Sequence, residues 1–512
     1  KTGEYPLQVS IFGLKESYEF NYNGNLSTLV ITPLLEKCYF SMFQALKLNS
    51  VGSLFGSAGI GKTESLKSLA QICGRKMHEF KCTATVTAEQ IIKTMHGLAI
   101  KGNWIVFDDF NLLHSGLITT YSNITHNFLT ARQAKKSSHK IDGELQVMNF
   151  NPNGAIFAVM SSSLTQINRK TYPSHVRRLF RPFTMIQPHK KIILQTYLLM
   201  VGFQNYTTIS IIFTSLYNFM ERSSSCSEYL NFKLGNILGL VRRGKRHYDE
   251  KYRGKVAASD KESAENAKKN EIHSMFKAFF EMIQSNSMDR DFAALQNFLS
   301  SLIMASYDIK VYDVFKHTMN EQKMDESLRS LQLYYTDNLK QKLNTLEFLS
   351  EEHKGTVILG EPDTGKSSVA NAFIENLRLR KNLSKSSSYR IFPDSTSIAD
   401  LYGNPSNNNI EGRNEEEGLL SAVIKNAIRL SKCRDGYTWI IFDACVNPKW
   451  SESLYPLLDS NTLPLSSGES LNVPRNSIKF LFETDSLSYE SPAFVSRVGV
   501  LKLSLAYKPV IS

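Results

Sequence analysis

Gly56-Ser-Ala-Gly-Ile-Gly61-Lys62-Thr63 and Gly360-Glu-Pro-Asp-Thr-Gly365-Lys366-Ser367 each satisfy G-x-x-x-x-G-K-[ST] in full. The pattern has a physical reason. Gly56, Gly59 and Gly61, and likewise Gly360 and Gly365, let consecutive backbone N–H groups turn inward on phosphate oxygens, and the helix that follows adds its positive end. Lys62 and Lys366 then reach the β- and γ-phosphates, while the Thr63 and Ser367 hydroxyls ligate Mg²⁺. One octamer can arise by chance. Two octamers in the same surroundings identify a pair of nucleotide-binding loops.

Those surroundings repeat. An apolar strand precedes each loop (Val51–Gly56; Thr356–Gly360), and a helix follows to about Cys73 and to about Arg378. Each has a later strand ending in acid, Trp104-Ile-Val-Phe-Asp108 and Trp439-Ile-Ile-Phe-Asp443, then a third apolar strand, Ala155–Met160 and Ile478–Phe482. Strands alternating with helices predict an α/β fold with a parallel sheet wrapped by helices, built twice with a period of about 300 residues. Between the repeats, from about Lys190 to Glu347, helical periodicity dominates. There the stripe Ile192, Leu199 and Phe203 predicts a core face, as burial is predicted for Trp104 and Trp439. Arg132–Gly143 reads as a polar hairpin loop, Leu383–Tyr389 and Asn404–Glu417 as loops, and Lys251–Asn270 as an exposed helix end or linker.

Asp108 and Asp443 end their strands where a carboxylate can hold the Mg²⁺ shell. Hydrolytic sites of this kind follow that Asp with a Glu that polarises the attacking water. Here Asp109 and Ala444 stand at those positions. Asp109 is one methylene shorter, which sets its carboxylate back by roughly 1.5 Å, and displacements of about 1 Å can slow a reaction on the order of a hundredfold. Ala444 has no carboxylate to offer. We expect a first site that binds ATP and turns it over slowly or not at all. The alternative is that a small backbone shift lets Asp109 position water.

Bulk composition narrows the field. With 512 residues, 42% hydrophobic and 21% charged, the chain reads as several soluble globular domains. No apolar run reaches the roughly 18 residues of a membrane span, and Ile192–Phe203 is broken by Gln195. The N-terminus shows neither an initiator Met nor an apolar leader core, which predicts a fragment. Six scattered cysteines without a C-x-x-C pair favour reduced thiols. Eleven histidines show no paired metal spacing, and Ser161-Ser162-Ser163 lacks the G-x-S-x-G of a nucleophile elbow. The net charge of +12 is spread along the chain, so nucleic acid is not an expected partner.

Several segments carry a family resemblance. Leu29-Val-Ile-Thr-Pro-Leu-Leu-Glu-Lys-Cys-Tyr39 is similar to the LVITPLTDRCY segment of dynein heavy chains, and Trp104–Asn111 and Leu179-Phe-Arg-Pro182 resemble their WGCFDEFN and LFRP. Leu401-Tyr-Gly403, Trp439–Trp450 and Val495-Ser-Arg-Val-Gly499 resemble LYG, WIIFDGDVDPEW and VSRCG, in the family's order. The resemblance implies tandem AAA+ P-loop NTPase modules with a helical small subdomain between them. Residues 1–28 would be the end of a linker, 29–189 the first large subdomain, 190–320 its small helical subdomain, and 321–512 the second large subdomain. It implies ATP or ADP with Mg²⁺ as cofactors, with Ile31 and Pro33 lining the adenine pocket of the first loop. The first site would be hydrolytic and the second would bind ATP without hydrolysing it. Arg497 would complete the first site from the neighbouring module, and Arg181 would face a sixth module.

Two more positions depart from the family: Ser161 stands for the sensor Asn, and Gly235 for the sensor Arg. The implied activity is microtubule-based movement. Its partners would be the remaining modules of the same heavy chain, microtubules reached through a stalk, and intermediate or light chains or other heavy chains. The implied location is the cytoskeleton, with the ciliary or flagellar axoneme expected and the cytoplasm as the alternative. Two competing functions stay open at this point. One is a nucleotide-stabilised, catalytically inactive structural or regulatory heavy chain, and the other is a concatenated remodelling ATPase of the midasin type.

Overall fold

The computed structural model describes residues 7–24, 29–83, 86–134, 138–139, 148–161, 172–222, 234–252, 261–286, 329, 337–380, 387–403, 418–433, 437–465, 470–474, 477–488 and 490–503. The chain divides into two compact units, Lys1–His189 and Lys190–Ser512.

The first unit opens with a hairpin, β1 (Gln8–Ile11) and β2 (Leu14–Ser17), whose turn places Phe12 and Gly13 at positive φ. Helix α1 (Pro33–Lys47) starts at Thr32, whose hydroxyl accepts from the Leu35 N–H at 3.4 Å. Pro33 sits in its first turn, where a missing N–H has no consequence. Then come β3 (Val51–Gly56), α2 (Lys62–Ile72), β4 (Met77–Lys81), α3 (Ala88–Lys101), β5 (Trp104–Asp108), α4 (Ser115–Gln133), a two-residue hairpin of β6 (Ser138–His139) and β7 (Met148–Asn149), β8 (Ala155–Ser161), α5 (Ser174–Leu179) and β9 (Phe180–Thr184). The large strands form one parallel sheet in the order β4-β5-β8-β3-β9. Helices cover both faces, so its central strands read as near-continuous apolar runs and are buried along almost their whole length.

A buried arginine ties the N-terminal segment to this sheet. Arg75, 3% exposed, donates to Glu19 Oε1 (2.8 Å), the Asn153 carbonyl (3.1 Å) and Ser17 Oγ (3.2 Å). Its guanidinium lies 5.5 Å from the centroid of the Trp104 ring.

The second unit begins with helices α6 (Lys190–Val201), α7 (Tyr206–Arg222), α8 (Leu234–Tyr252), α9 (Lys261–Asn286) and α10 (Asp337–Glu352). The buried Glu271 accepts from the N–H groups of Gln204 and Asn205, both at 3.0 Å, just before α7 begins. A second sheet follows, made of β10 (Gly355–Leu359), β11 (Ser387–Ile391), β12 (Thr438–Asp443), β15 (Ile478–Thr484) and β16 (Val498–Lys502). A small hairpin, β13 (Thr462–Pro464) and β14 (Ser470–Asn472), lies beside it. Its order, β11-β12-β15-β10-β16, is that of the first sheet strand for strand, and all its pairs are parallel. Helix α11 (Lys366–Arg380) leaves β10 as α2 leaves β3. Leu194, Phe213, Phe276, Leu343, Val369 and Trp439 belong to one core shared by the helices and this sheet.

The α/β tandem expected from the repeat is therefore present. Trp104 and Trp439 are buried, each edge-on to a phenylalanine (Phe157 and Phe373) at 5.3 Å. Two expectations are corrected. Ile192 and Leu199 are 38% and 57% exposed; the core face of α6 is Ile193, Leu194 and Leu198, and only Phe203 of the expected stripe is buried. Ser387–Tyr389 is not loop but the start of β11, because parallel pairing to Thr438–Ile440 outweighs the turn preference of serine. Asn404–Glu417 lies outside the described residues.

Candidate functional site: two phosphate loops

Both loops lie at the C-terminal end of a strand flanked by two others, the crevice in which open parallel sheets bind ligands. In the first, Gly59 and Gly61 take φ +78° and +89°, conformations open to glycine without strain. A Cβ on Gly56 would stand 2.7 Å from the Met185 carbonyl oxygen, so that glycine is required by close approach. Lys62 is 6% exposed, and its Nζ donates to the carbonyls of Gly56 (2.9 Å) and Ser57 (2.7 Å), which holds the ammonium over the loop.

Thr63 Oγ1 donates to Asp108 Oδ1 at 2.8 Å, bringing together the hydroxyl and carboxylate that a Mg²⁺ ion would share. Burial, then the charges of Asp109 and Glu79, push the Asp108 carboxyl up to about 6, against the Thr63 hydrogen bond and Lys81. Such a crowded acid favours a cation beside it, and the donor set fits Mg²⁺. Asp109 adopts a left-handed backbone (φ 52°, ψ 44°), and its Oδ1 accepts from Ser161 Oγ at 3.1 Å. The Ser161 N–H in turn donates to Asn111 Oδ1 at 3.3 Å. The residue after the strand-end acid is thus bonded directly to the last residue of β8. Ile31 is 55% exposed, and Pro33 beside it is also exposed.

The second loop repeats the backbone, with Asp363 and Gly365 at φ +63° and +81°, but its side chains are wired differently. Lys366 Nζ donates to the carbonyls of Gly360 (2.7 Å) and Glu361 (3.2 Å) and pairs with Asp485. Ser367 Oγ donates to Glu483 Oε2 at 2.5 Å. Asp443 instead receives Arg390, whose Nη1 lies 2.6 Å from Asp443 Oδ2 and 3.4 Å from Ser367 Oγ. The same guanidinium reaches Glu483 through Nη1 (3.2 Å) and Nη2 (3.1 Å).

Sequence reasoning missed Arg390, Glu483 and Asp485, as well as Glu79 and Lys81 beside Asp108. The signal was strand register. Arg390 pairs with Ile441 and Glu79 with Val106, each two residues before the strand-end acid of the neighbouring strand. One position on the second strand of each sheet thus carries opposite charge in the two modules. In the same way Glu483 pairs with Ile358 where Val159 pairs with Leu54.

Gly235 lies at the start of α8. Arg497 belongs to the second unit, where Nε donates to Asp459 Oδ2 (2.5 Å), Nη1 donates to the Ala493 carbonyl (3.1 Å), and the guanidinium lies 4.6 Å from the Tyr455 ring centroid. Arg181 on β9 donates to Gln44 Oε1 at 2.8 Å. Among the described residues no helix is long and apolar enough to cross a membrane.

A family model described as the hydrolytic ATP binding site of dynein motor region matches residues 18–367. Cytoplasmic dynein 2 heavy chain 1 of Caenorhabditis elegans is 26% identical over 510 residues, covering 95% of this chain and 11% of the relative. The human protein of that name is 28% identical over 500 residues, with the same coverages. Human dynein axonemal heavy chain 17 is 27% identical over 502 residues, covering 97% of this chain and 10% of the relative. The chain thus spans about a tenth of the length of these relatives. With paired phosphate loops on paired sheets and a family match over most of its length, this chain belongs to the dynein heavy-chain motor-region family.

Proposed function

We propose that the chain is the ATP-binding segment of a motor ring that couples nucleotide binding and hydrolysis to movement along microtubules. In this reading residues 29–189 and 190–320 are the large and small parts of one module, and 321–512 is the large part of the next. The observation that carries it is the first loop, where Lys62, Thr63 and Asp108 converge at the end of β3 with the 2.8 Å Thr63–Asp108 contact. Lys62 and the loop N–H groups hold the phosphates, Thr63 and Asp108 hold Mg²⁺, and the exposed face of Ile31 with Pro33 receives the adenine. Bound Mg²⁺ offsets phosphate charge. Asp109 orients water, held by Ser161.

Turnover at this loop is slow, because Asp109 is short and Ser161 binds it instead of reaching forward. The second loop binds nucleotide without hydrolysing it, since Ala444 cannot orient water. The remaining modules of the heavy chain, microtubules, and intermediate or light chains or other heavy chains are its partners, and the cytoskeleton, in particular the axoneme, is its location. A second reading, a nucleotide-stabilised heavy chain with a regulatory or structural role, draws on the Asp109–Ser161 bond, which engages the water-orienting carboxylate.

ATP turnover by the full-length heavy chain, wild type beside Lys62→Ala and with microtubules present, tests the proposal. Slow turnover that disappears in the variant supports a motor. ATP binding with no turnover in either selects the second reading, and no ATP binding at all removes both.

A further inference from the structure

We propose that the second loop binds its nucleotide without Mg²⁺, the guanidinium of Arg390 standing where the metal would sit. This rests on the reading that the second loop holds nucleotide.

Three observations carry it. First, both ligands that a Mg²⁺ ion would use are engaged with one another's neighbours. Asp443 Oδ2 takes Arg390 Nη1 at 2.6 Å, and Ser367 Oγ donates to Glu483 at 2.5 Å with Arg390 Nη1 3.4 Å away. The cation already lies between the hydroxyl and the carboxylate. Second, it is held by more than Asp443. Glu483 is 2% exposed and accepts from both Nη atoms, so expelling the guanidinium would leave a buried carboxylate without its cation. Third, the first module supplies the contrast. At the register position of Arg390 it carries Glu79, and at that of Glu483 it carries Val159. There Thr63 bonds Asp108 directly, and Glu79 pairs with Lys67 (2.8 Å) and Lys81 (3.5 Å). One copy of the scaffold thus joins the hydroxyl and the strand-end carboxylate directly, and the other sets a fixed monovalent cation between them.

The residues at the second seat do not fit Mg²⁺. Lys366 and Arg390 face Asp443, Glu483 and Asp485, a set with no excess of positive charge. Attraction for phosphate therefore comes chiefly from the loop N–H groups and the N-terminus of α11.

Equilibrium dialysis with radiolabelled ATP decides the matter, using the full chain with Lys62→Ala to silence the first loop, in Mg²⁺ or in excess EDTA. Adding Lys366→Ala assigns the signal to the second loop. The expected result is Lys366-dependent binding whose Kd agrees within about threefold between the two buffers. Binding that weakens about tenfold or more in EDTA overturns the inference and leaves the second loop as an ordinary nucleotide site. No binding in either buffer overturns it together with the reading on which it rests. In Arg390→Gln/Glu483→Gln, which removes the cation and its buried partner together, binding should become Mg²⁺-dependent. A folded double variant that still binds equally in both buffers also overturns the inference.

Discussion

Lengthening Asp109 by one methylene should accelerate the first site. Asp109→Glu carries the carboxylate forward by roughly 1.5 Å, and errors of about 1 Å in placement are worth up to a hundredfold in rate, or about 2.7 kcal/mol of barrier. Two features of the structure oppose the change. Asp109 sits in the left-handed region at φ 52°, ψ 44°, where Asp is tolerated for its short polar side chain and Glu is strained by about 1 kcal/mol. The 3.1 Å bond from Ser161 Oγ to Oδ1 is also lost, worth about 1 kcal/mol. Both terms fall mainly on fold stability. They reach the barrier only as far as they let the longer carboxylate wander, so the expected gain is roughly ten- to a hundredfold in kcat. Steady-state phosphate release by the full-length heavy chain measures it, with Asp109→Glu/Lys62→Ala as the blank for the first loop. Unchanged or lower turnover with ATP still bound would show that the length of Asp109 is not what limits this site.

Other consequences can be checked separately. Gly56→Ala places a Cβ 2.7 Å from the Met185 carbonyl and should abolish ATP binding at the first loop by dialysis while sparing the second. Trp104→Ala removes a side chain that is 1% exposed and packed on Phe157 and Arg75; it should destabilise the first unit by about 3–5 kcal/mol in denaturant melts. Burial pushes Glu490 up to about 7, against hydrogen bonds from Ser451 and Ser491. Between the usual carboxyl pKa and about 7 the folded state keeps a proton that the unfolded chain releases, so stability falls as pH rises through this window, by about 3 kcal/mol in all. Glu490→Gln should therefore raise the unfolding midpoint at pH 8 and leave it unchanged at pH 4.

What was legible in the sequence follows from what is local. Each loop octamer and each buried strand states its role in consecutive residues, because a parallel sheet covered on both faces demands unbroken apolar runs. The strand Ser387–Ile391 was hidden because its serines favour turns and only its partner Thr438–Phe442 makes it a strand. Arg390, Glu483 and Asp485 were hidden with it. They lie 23, 116 and 118 residues after Ser367 in the chain, and only strand register shows that they share its site. On α6 the hydrophobic residues outnumber those the core can take, so the period alone did not decide between Ile192 and Ile193. The left-handed backbone of Asp109 is not announced by its neighbours in the chain either.

The clamp made by Arg75 gives the first unit a mechanical property. Ser17 and Glu19, in the segment running in from the hairpin, are fastened through a single buried guanidinium to the Asn153 carbonyl, just before β8, and that guanidinium lies against Trp104 at the head of β5. Tension applied along the segment must therefore break several bonds together in shear. Until they yield, the load passes through the Asn153 carbonyl to the lead-in of β8, whose far end carries Ser161, the hydroxyl bonded to Asp109. Pulling on that segment and shifting the serine that holds Asp109 are, in this geometry, two ends of one seven-residue rod.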